Sequence, residues 1–370
     1  MIPIDLDKLA QWYSLNYEDN LRGRRILFDN IHPLIKNLDD TFTSTILGYS
    51  ERKIPIYRVS VGKGKKKILI WSQMHGNEST GTKALFDLFK FFGSTEDSMK
   101  PIISDLLTNC TIVFIVLLNP DGAVNYTREN AENIDLNRDA VALKAVESNL
   151  LRATLDSFNP EFCFNLHDQR NIFNVENTKN PATLSFLAPS EDIARTLTSG
   201  RIETMSVIVA MNMLLQQVIP GQIGRYTDEY YPTATGDNFQ KLGHNTILIE
   251  AGHFKDDDSR EISRKFNFYA LLQGLYFIAT TNEFSNFKPY FNIPNNDEMF
   301  LDVIYRNIKI VDDNVTRIVD VGIQRKYKVV DNELISYDHI EKIGNLSKYC
   351  TYNYINAENL NFKDLKLSNS

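Results

Sequence analysis

From Thr111 to Leu118 the chain runs Thr-Ile-Val-Phe-Ile-Val-Leu-Leu, rich in β-branched residues and unbroken by charge. A strand that alternates apolar and polar residues can leave one face in water, whereas one that is apolar at every position must be covered on both. Shorter runs of the same kind recur at Lys67-Ile68-Leu69-Ile70-Trp71, Phe162–Leu166 and Thr246–Ile249. Between them lie stretches with helical spacing. Thr80–Phe92 places Leu85, Leu88, Phe89 and Phe92 on one face, and further helices are expected over Asp139–Phe158, Ile193–Val218 and about Arg260–Thr280. Buried strands alternating with helices predict an α/β fold, a mixed twisted sheet with helices on both faces.

The flanks differ from this middle part. Residues 1–54 read as a helical lead-in that ends in a polar stretch from Asn37 to Ser50, and 55–285 carry the alternation. From about 290 to 357 the candidates are short strands (Leu301–Ile304, Val315–Val319, Tyr327–Val330) separated by polar turns, which predicts a small C-terminal β-rich appendage. Residues 358–370 read as a polar tail.

With 43% hydrophobic and 24% charged residues the chain is no disordered polymer, and its net charge of −7 argues against nucleic acid as a partner. The basic cluster Lys63-Gly64-Lys65-Lys66-Lys67 lacks P-loop spacing and reads as a solvated turn before a strand. Three cysteines, Cys110, Cys163 and Cys350, are too few and too scattered for a disulfide framework. Cys163, inside an apolar run, reads as a small core residue. The first residues show neither a basic nor an apolar signal region, and the longest apolar run, Ile112–Leu118, is far short of a membrane span. A cytoplasmic location without membrane association is the expectation.

Polar residues stand just where the buried runs end. His75-x-x-Glu78 follows the first run, His167 closes another and Glu250 follows a third. The ends of strands in α/β folds border the ligand crevice. His-x-x-Glu alone is a weak signal, and a lone strand-end histidine is usually a core residue. Together, two imidazoles and a carboxylate make an open zinc site, three protein ligands leaving the fourth position for water.

The same residues, with Asn119-Pro120-Asp121-Gly122, Arg128-x-Asn130 and Asp135-Leu136-Asn137-Arg138 between them, resemble in order and approximate spacing the motifs of the M14 zinc carboxypeptidases, over about residues 55–285. The resemblance implies one Zn²⁺ per chain, held by His75, Glu78 and His167, with Asp135 fixing the tautomer of His75. It implies Glu250 as general base on the zinc-held water and Arg128 as stabiliser of the oxyanion. Asn137 and Arg138 would hold the substrate's terminal carboxylate, a pairing suited to the guanidinium fork. Tyr231, or its neighbour Tyr230, would cap the substrate, and Asp237 would face its side chain. The partner so implied is a peptide, or an acyl-amino acid, with a free carboxylate.

The sequence departs from the pattern at Asp139-Ala140 after the Asn-Arg pair and at Asp168-Gln169 after the later histidine. Both alter the neighbourhood of the substrate and leave the metal ligands intact. His32, His244, His253 and His339 fit no second metal site. A second family, the aspartoacylase and succinylglutamate desuccinylase group of N-acyl amino acid amidohydrolases, shares His-x-x-Glu, Asp-x-Asn-Arg and a late glutamate, and often has a C-terminal β domain. Asn119–Gly122 with Arg128-x-Asn130 favours the peptidase. A non-catalytic binding module on the same fold is a third alternative, opposed by the retention of the ligands, Glu250 and Arg128.

Overall fold

In a computed structural model describing residues 4–312, 315–365 and 367, each of these apolar runs becomes a strand of one sheet. In chain order the strands are β1 (Phe42–Tyr49), β2 (Pro55–Val61), β3 (Lys66–Ser72), β4 (Cys110–Ile115), β5 (Phe162–Asp168), β6 (Asn174–Val175), β7 (Leu184–Leu187), β8 (Ile223–Arg225) and β9 (Asn245–Ala251). The C-terminal part adds β10 (Asn296–Asp297), β11 (Val303–Asp312), β12 (Val315–Val330), β13 (Glu333–Gly344) and β14 (Tyr354–Asn356). The helices are α1 (Leu6–Asn16), α2 (Phe28–Lys36), α3 (Thr80–Phe92), α4 (Lys100–Asn109), α5 (Pro120–Asn125), α6 (Val146–Phe158), α7 (Ser199–Leu215), α8 (Thr235–Lys241) and α9 (Glu261–Thr280).

The main sheet has eight strands in the order β1-β2-β4-β3-β5-β9-β7-β8. Its centre, β4-β3-β5-β9, is parallel, while β1 joins β2, β2 joins β4 and β7 joins β9 antiparallel, and β8 runs parallel to β7. Alternation along β3 sorts the core into two layers. Ile68 and Ile70, with Phe114, Phe164 and Ile247, meet α3, α7 and α9, whereas Leu69 and Trp71, with Val113, Ile115 and Cys163, meet α6 and Phe239 of α8. Helices thus cover both faces, as the unbroken apolar runs require. Cys163 is buried and burial pushes its thiol up, so it is a packing residue at neutral pH. No helix among the described residues is long and apolar enough to cross a membrane.

Three boundaries move. The polar stretch at 37–50 contains β1, an edge strand mostly exposed, which therefore shows little apolar signal. The helix expected from Asp139 begins only at Val146, because the Asp139 carboxylate accepts from the backbone N–H groups of Lys144 and Ala145 and closes a loop there (3.0 and 2.9 Å). The helix expected from Ile193 begins at Ser199, where Thr198 caps it.

The appendage is a four-stranded sheet, β13-β12-β11-β14, over a small core of Ile308, Val321, Ile323 and Ala357. Two of the short candidates prove to be parts of one strand, β12, and β13 had no counterpart in the sequence reading. Beyond Ala357 the chain is not a free tail, since Lys309 bridges to Asn361 and Leu365 and Leu367 pack on this core. The β12–β13 hairpin lies against the body. Arg25 donates to the Asn332 carbonyl (2.6 Å), Arg170 pairs with Glu341 (2.7 Å) and Asn171 donates to Asp302 (3.1 Å).

Candidate active site

β3, β5 and β9 run parallel side by side, so their carboxyl ends open on one edge of the sheet. The loop after β3 carries His75 and Glu78, while His167 and Glu250 face one another across the β5–β9 ladder in direct register. Parallel partners in register project to the same side of a sheet, which places Glu250 beside His167. The loop after β3 is packed tightly. A Cβ on Gly76 would lie 2.0 Å from the Gly122 backbone, so the residue between His75 and Asn77 has to be glycine. Asn119 fastens the facing loop, accepting from the Gly122 N–H (2.8 Å) and donating to the Met74 carbonyl (3.1 Å). Asn119–Gly122 form the N-cap and first turn of α5.

Donor atoms of His75, Glu78 and His167 converge within 4.8 Å of one another. His75 Nδ1 lies 2.8 Å from Glu78 Oε1, His167 Nδ1 lies 2.8 Å from Glu78 Oε2, and the two ring nitrogens are 3.1 Å apart. Tetrahedral zinc with bonds of about 2.0–2.1 Å sets its donors about 3.3 Å apart, close to this triangle. His75 Nε2 faces Asp135 Oδ1 at 3.0 Å, which assigns the ring proton to that side and leaves Nδ1 a lone pair. Asp135 is itself fixed by the Asn137 N–H (2.9 Å) and Arg128 Nε (2.9 Å). Two imidazole nitrogens and a carboxylate turned toward one point fit a borderline-soft dication.

The charges of the site are strongly coupled. Burial alone would lift the Glu78 carboxyl, but His75 and His167 outweigh it and hold Glu78 well below the usual carboxylate range. Burial likewise opposes a charge on His75, and Glu78 with Asp135 reverse that and raise it. For His167 burial wins and its pKa falls. Glu250 is pushed well above the carboxylate range by burial and by the negative neighbours Glu78 and Asp168, against the pull of Arg128 and Arg260. Arg128 Nη1 stands 3.1 Å from His75 Nδ1 and 3.5 Å from Glu78, at the border of the donor triangle.

Asn137 and Arg138 sit on a 3-10 turn, where Asn137 accepts from the Thr235 N–H (3.2 Å). The exposed Arg138 guanidinium lies 5.8 Å from the centroid of Tyr231. Tyr230 instead bonds Lys241 (3.2 Å), so Tyr231 is the tyrosine beside the arginine. The Asp237 carboxylate accepts from the Tyr231 N–H (3.0 Å), and burial raises its pKa to about 6. Its visible contact is with the loop carrying Tyr231.

Sequence reasoning passed over Arg260, placed there only as the start of a helix. Its buried guanidinium donates to the Ala251 carbonyl (2.7 Å) and the Gln169 carbonyl, and lies 3.4 Å from Asp168. It therefore ties together the ends of β5 and β9 that carry His167 and Glu250. One local sign existed: a cation at a helix N-terminus opposes the helix dipole.

Residues 35–192 match the zinc carboxypeptidase family, peptidase M14, a span that contains every residue discussed here from His75 to His167. A stretch of 125 residues is 26% identical to carboxypeptidase 2 of Trichophyton tonsurans and, equally, of Trichophyton equinum. It covers 32% of this chain and 22% of those proteins' length. Among solved structures, the fold is similar to a metallo-carboxypeptidase from Burkholderia cenocepacia (TM-score 0.54, 18% identical, 66% of each chain covered). It is also similar to carboxypeptidase A from Helicoverpa armigera (TM-score 0.54, 15% identical, 75% of this chain and 81% of that one).

Proposed function

Since residues 35–192 match the zinc carboxypeptidase family and the fold is similar to that of a metallo-carboxypeptidase, we propose that the chain hydrolyses the C-terminal amide bond of a peptide or peptide-like substrate. The observation that carries this reading is the convergence of His75, Glu78 and His167 beside Arg128, with Glu250 in register with His167. His75, Glu78 and His167 would hold one Zn²⁺, which when bound polarises a carbonyl and makes water acidic enough to lose a proton near neutral pH.

The chain's own groups do the rest. Glu250 accepts a proton from the attacking water and passes it to the leaving nitrogen, a role suited to a carboxylate held in register with His167 at the strand ends. Arg128 donates to the oxygen that becomes negative in the transition state, a contribution of about 3–4 kcal/mol. Asn137 and Arg138 bind the free carboxylate, and Tyr231 covers it from the loop that Asp237 holds. An internal peptide bond presents no carboxylate at that place, which makes the reaction exopeptidic. A second reading, an N-acyl amino acid amidohydrolase, is supported by the β12 strand, which walls the cleft beyond Arg128.

The test is a cycle on Arg138. Amidating the substrate's C-terminus removes a charge-assisted contact and should lower kcat/KM by roughly 30-fold to several thousand-fold, on the order of 2–5 kcal/mol. Arg138→Ala should lose a similar factor on free-carboxylate substrates and little more on amidated ones, because both changes remove one interaction. Penalties that simply add would show that Arg138 does not touch the carboxylate.

A further inference from the structure

Beyond Arg128 a cleft of about 420 Å³ opens between the body and the appendage, reached by Glu78 and Arg128 at one end and by β12 and β13 along its far wall. Six cations line it: Arg24, Arg128, Arg170, Arg260, Arg325 and Lys326. The carboxylates lining it are Glu78 and Asp168. In a chain of net charge −7 such a concentration is a local reversal of sign. Among the described residues, Lys326 has no carboxylate partner. Arg24 makes no direct ion pair, although Asp258 and Asp168 act on it from farther off; it is held by the Asp258 carbonyl (2.6 Å) and lies over the Tyr327 ring, 4.4 Å from its centroid. Arg325 and Arg170 do have partners, Asp258 at 3.5 Å and Glu341 at 2.7 Å, but in each pair one side chain is well exposed, Asp258 by 58% and Arg170 by 57%. Exposed pairs of this kind contribute little and exchange readily with an incoming carboxylate.

The cleft also has a direction. Asn137, Arg138 and Tyr231, assigned above to the terminal carboxylate, do not line it. A substrate whose last residue lies against them and whose scissile carbonyl lies at Arg128 must send the rest of its chain into this cleft. We propose that the cleft selects substrates carrying carboxylate side chains on the residues that precede the scissile bond, so that the protein trims acidic peptides. Arg24, Arg170, Arg325 and Lys326 form the recognising wall. The proposal rests on the carboxypeptidase reading, which supplies the direction of the chain, and adds the chemistry of the acyl side.

The experiment compares two tripeptides with the same C-terminal residue, one with Glu-Glu and one with Gln-Gln before the scissile bond. They are offered to the zinc-loaded full chain and to the Arg325→Gln/Lys326→Gln variant, and binding to both proteins is followed in parallel by calorimetry. The expected result is a kcat/KM about tenfold or more higher for the Glu peptide at low salt, shrinking as salt is added. The preference should fall toward parity in the double variant and reverse in Lys326→Glu. Turnover of both peptides at equal kcat/KM by the wild-type chain overturns the acidic preference and leaves the carboxypeptidase reading standing. If neither peptide is cleaved, yet the Glu peptide binds the wild-type chain more tightly and the double variant no better than the Gln peptide, charge recognition holds and the carboxypeptidase reading falls. Absence of both turnover and preferential binding overturns both.

Discussion

His75 turns one ring nitrogen to Asp135 and the other to Glu78 and His167, so each of these side chains has one assigned task and a change at any of them has a defined consequence. His167→Ala should lose most zinc affinity, measured by metal content after dialysis. Glu250→Gln should keep its zinc and lose activity by about 10²–10⁴-fold, because the amide keeps the shape but accepts no proton. Full zinc occupancy in the first variant, or near wild-type turnover in the second, would refute the respective assignment. These residues were legible in the sequence because each sits at the end of an apolar run and belongs to a short motif. Arg24 and Arg260 were not. Their partners are carbonyls, rings and carboxylates brought close only by folding, Gln169 being 91 positions from Arg260, and no local spacing announces such a contact.

Between elements, the lead-in is tied to the body through a fully buried ion pair. Arg264 on α9 grips Asp87 on α3 at 2.6 and 2.7 Å and also donates to the carbonyls of Glu18 and Leu21. Arg264→Met leaves Asp87 buried without its cation and should cost about 3–5 kcal/mol in denaturant unfolding. A loss below about 1 kcal/mol would show that the pair does not hold the lead-in in place. His253 occupies the corresponding position toward the appendage, its ring 4.4 Å from Phe300 and near Tyr352. Burial, and then the cation Arg260 with a lesser push from Arg24, lower its pKa to about 3, against a hydrogen bond to the Phe173 backbone. The folded pKa lies below the unfolded value of about 6.5, so the unfolded chain binds the proton first. The stabilisation is therefore present above pH 6.5 and is lost as pH falls toward 3, by at most about 1.4 kcal/mol per pH unit. Unfolding of His253→Gln should depend less steeply on pH in that window, and identical slopes would remove His253 as the group responsible. The central strands and α3 could be read because burial on both sides leaves an unmistakable apolar signature. β1 and β13 are partly exposed strands with mixed polar sequences that only pairing reveals, and β12 was legible only at its two ends, Val315–Val319 and Tyr327–Val330.

At the scale of the whole molecule, an α/β body presents its strand ends to a cleft whose far wall is supplied by the β appendage. The sequence revealed both parts but not that the second one lines the site, since nothing in a series of short strands says where they dock. Under the proposed function, His75, Glu78 and His167 would hold the metal, Asn137 and Arg138 the terminal carboxylate, and the basic cleft the rest of the substrate chain. The most direct measurement is mass spectrometry of a synthetic peptide incubated with the zinc-loaded chain, with its free-acid and amidated forms side by side and with and without chelator. The account predicts loss of single C-terminal residues from the free acid, none from the amide, arrest by chelator and recovery on adding zinc. Internal cleavage, equal trimming of the amidated peptide, or trimming that persists in chelator would contradict it.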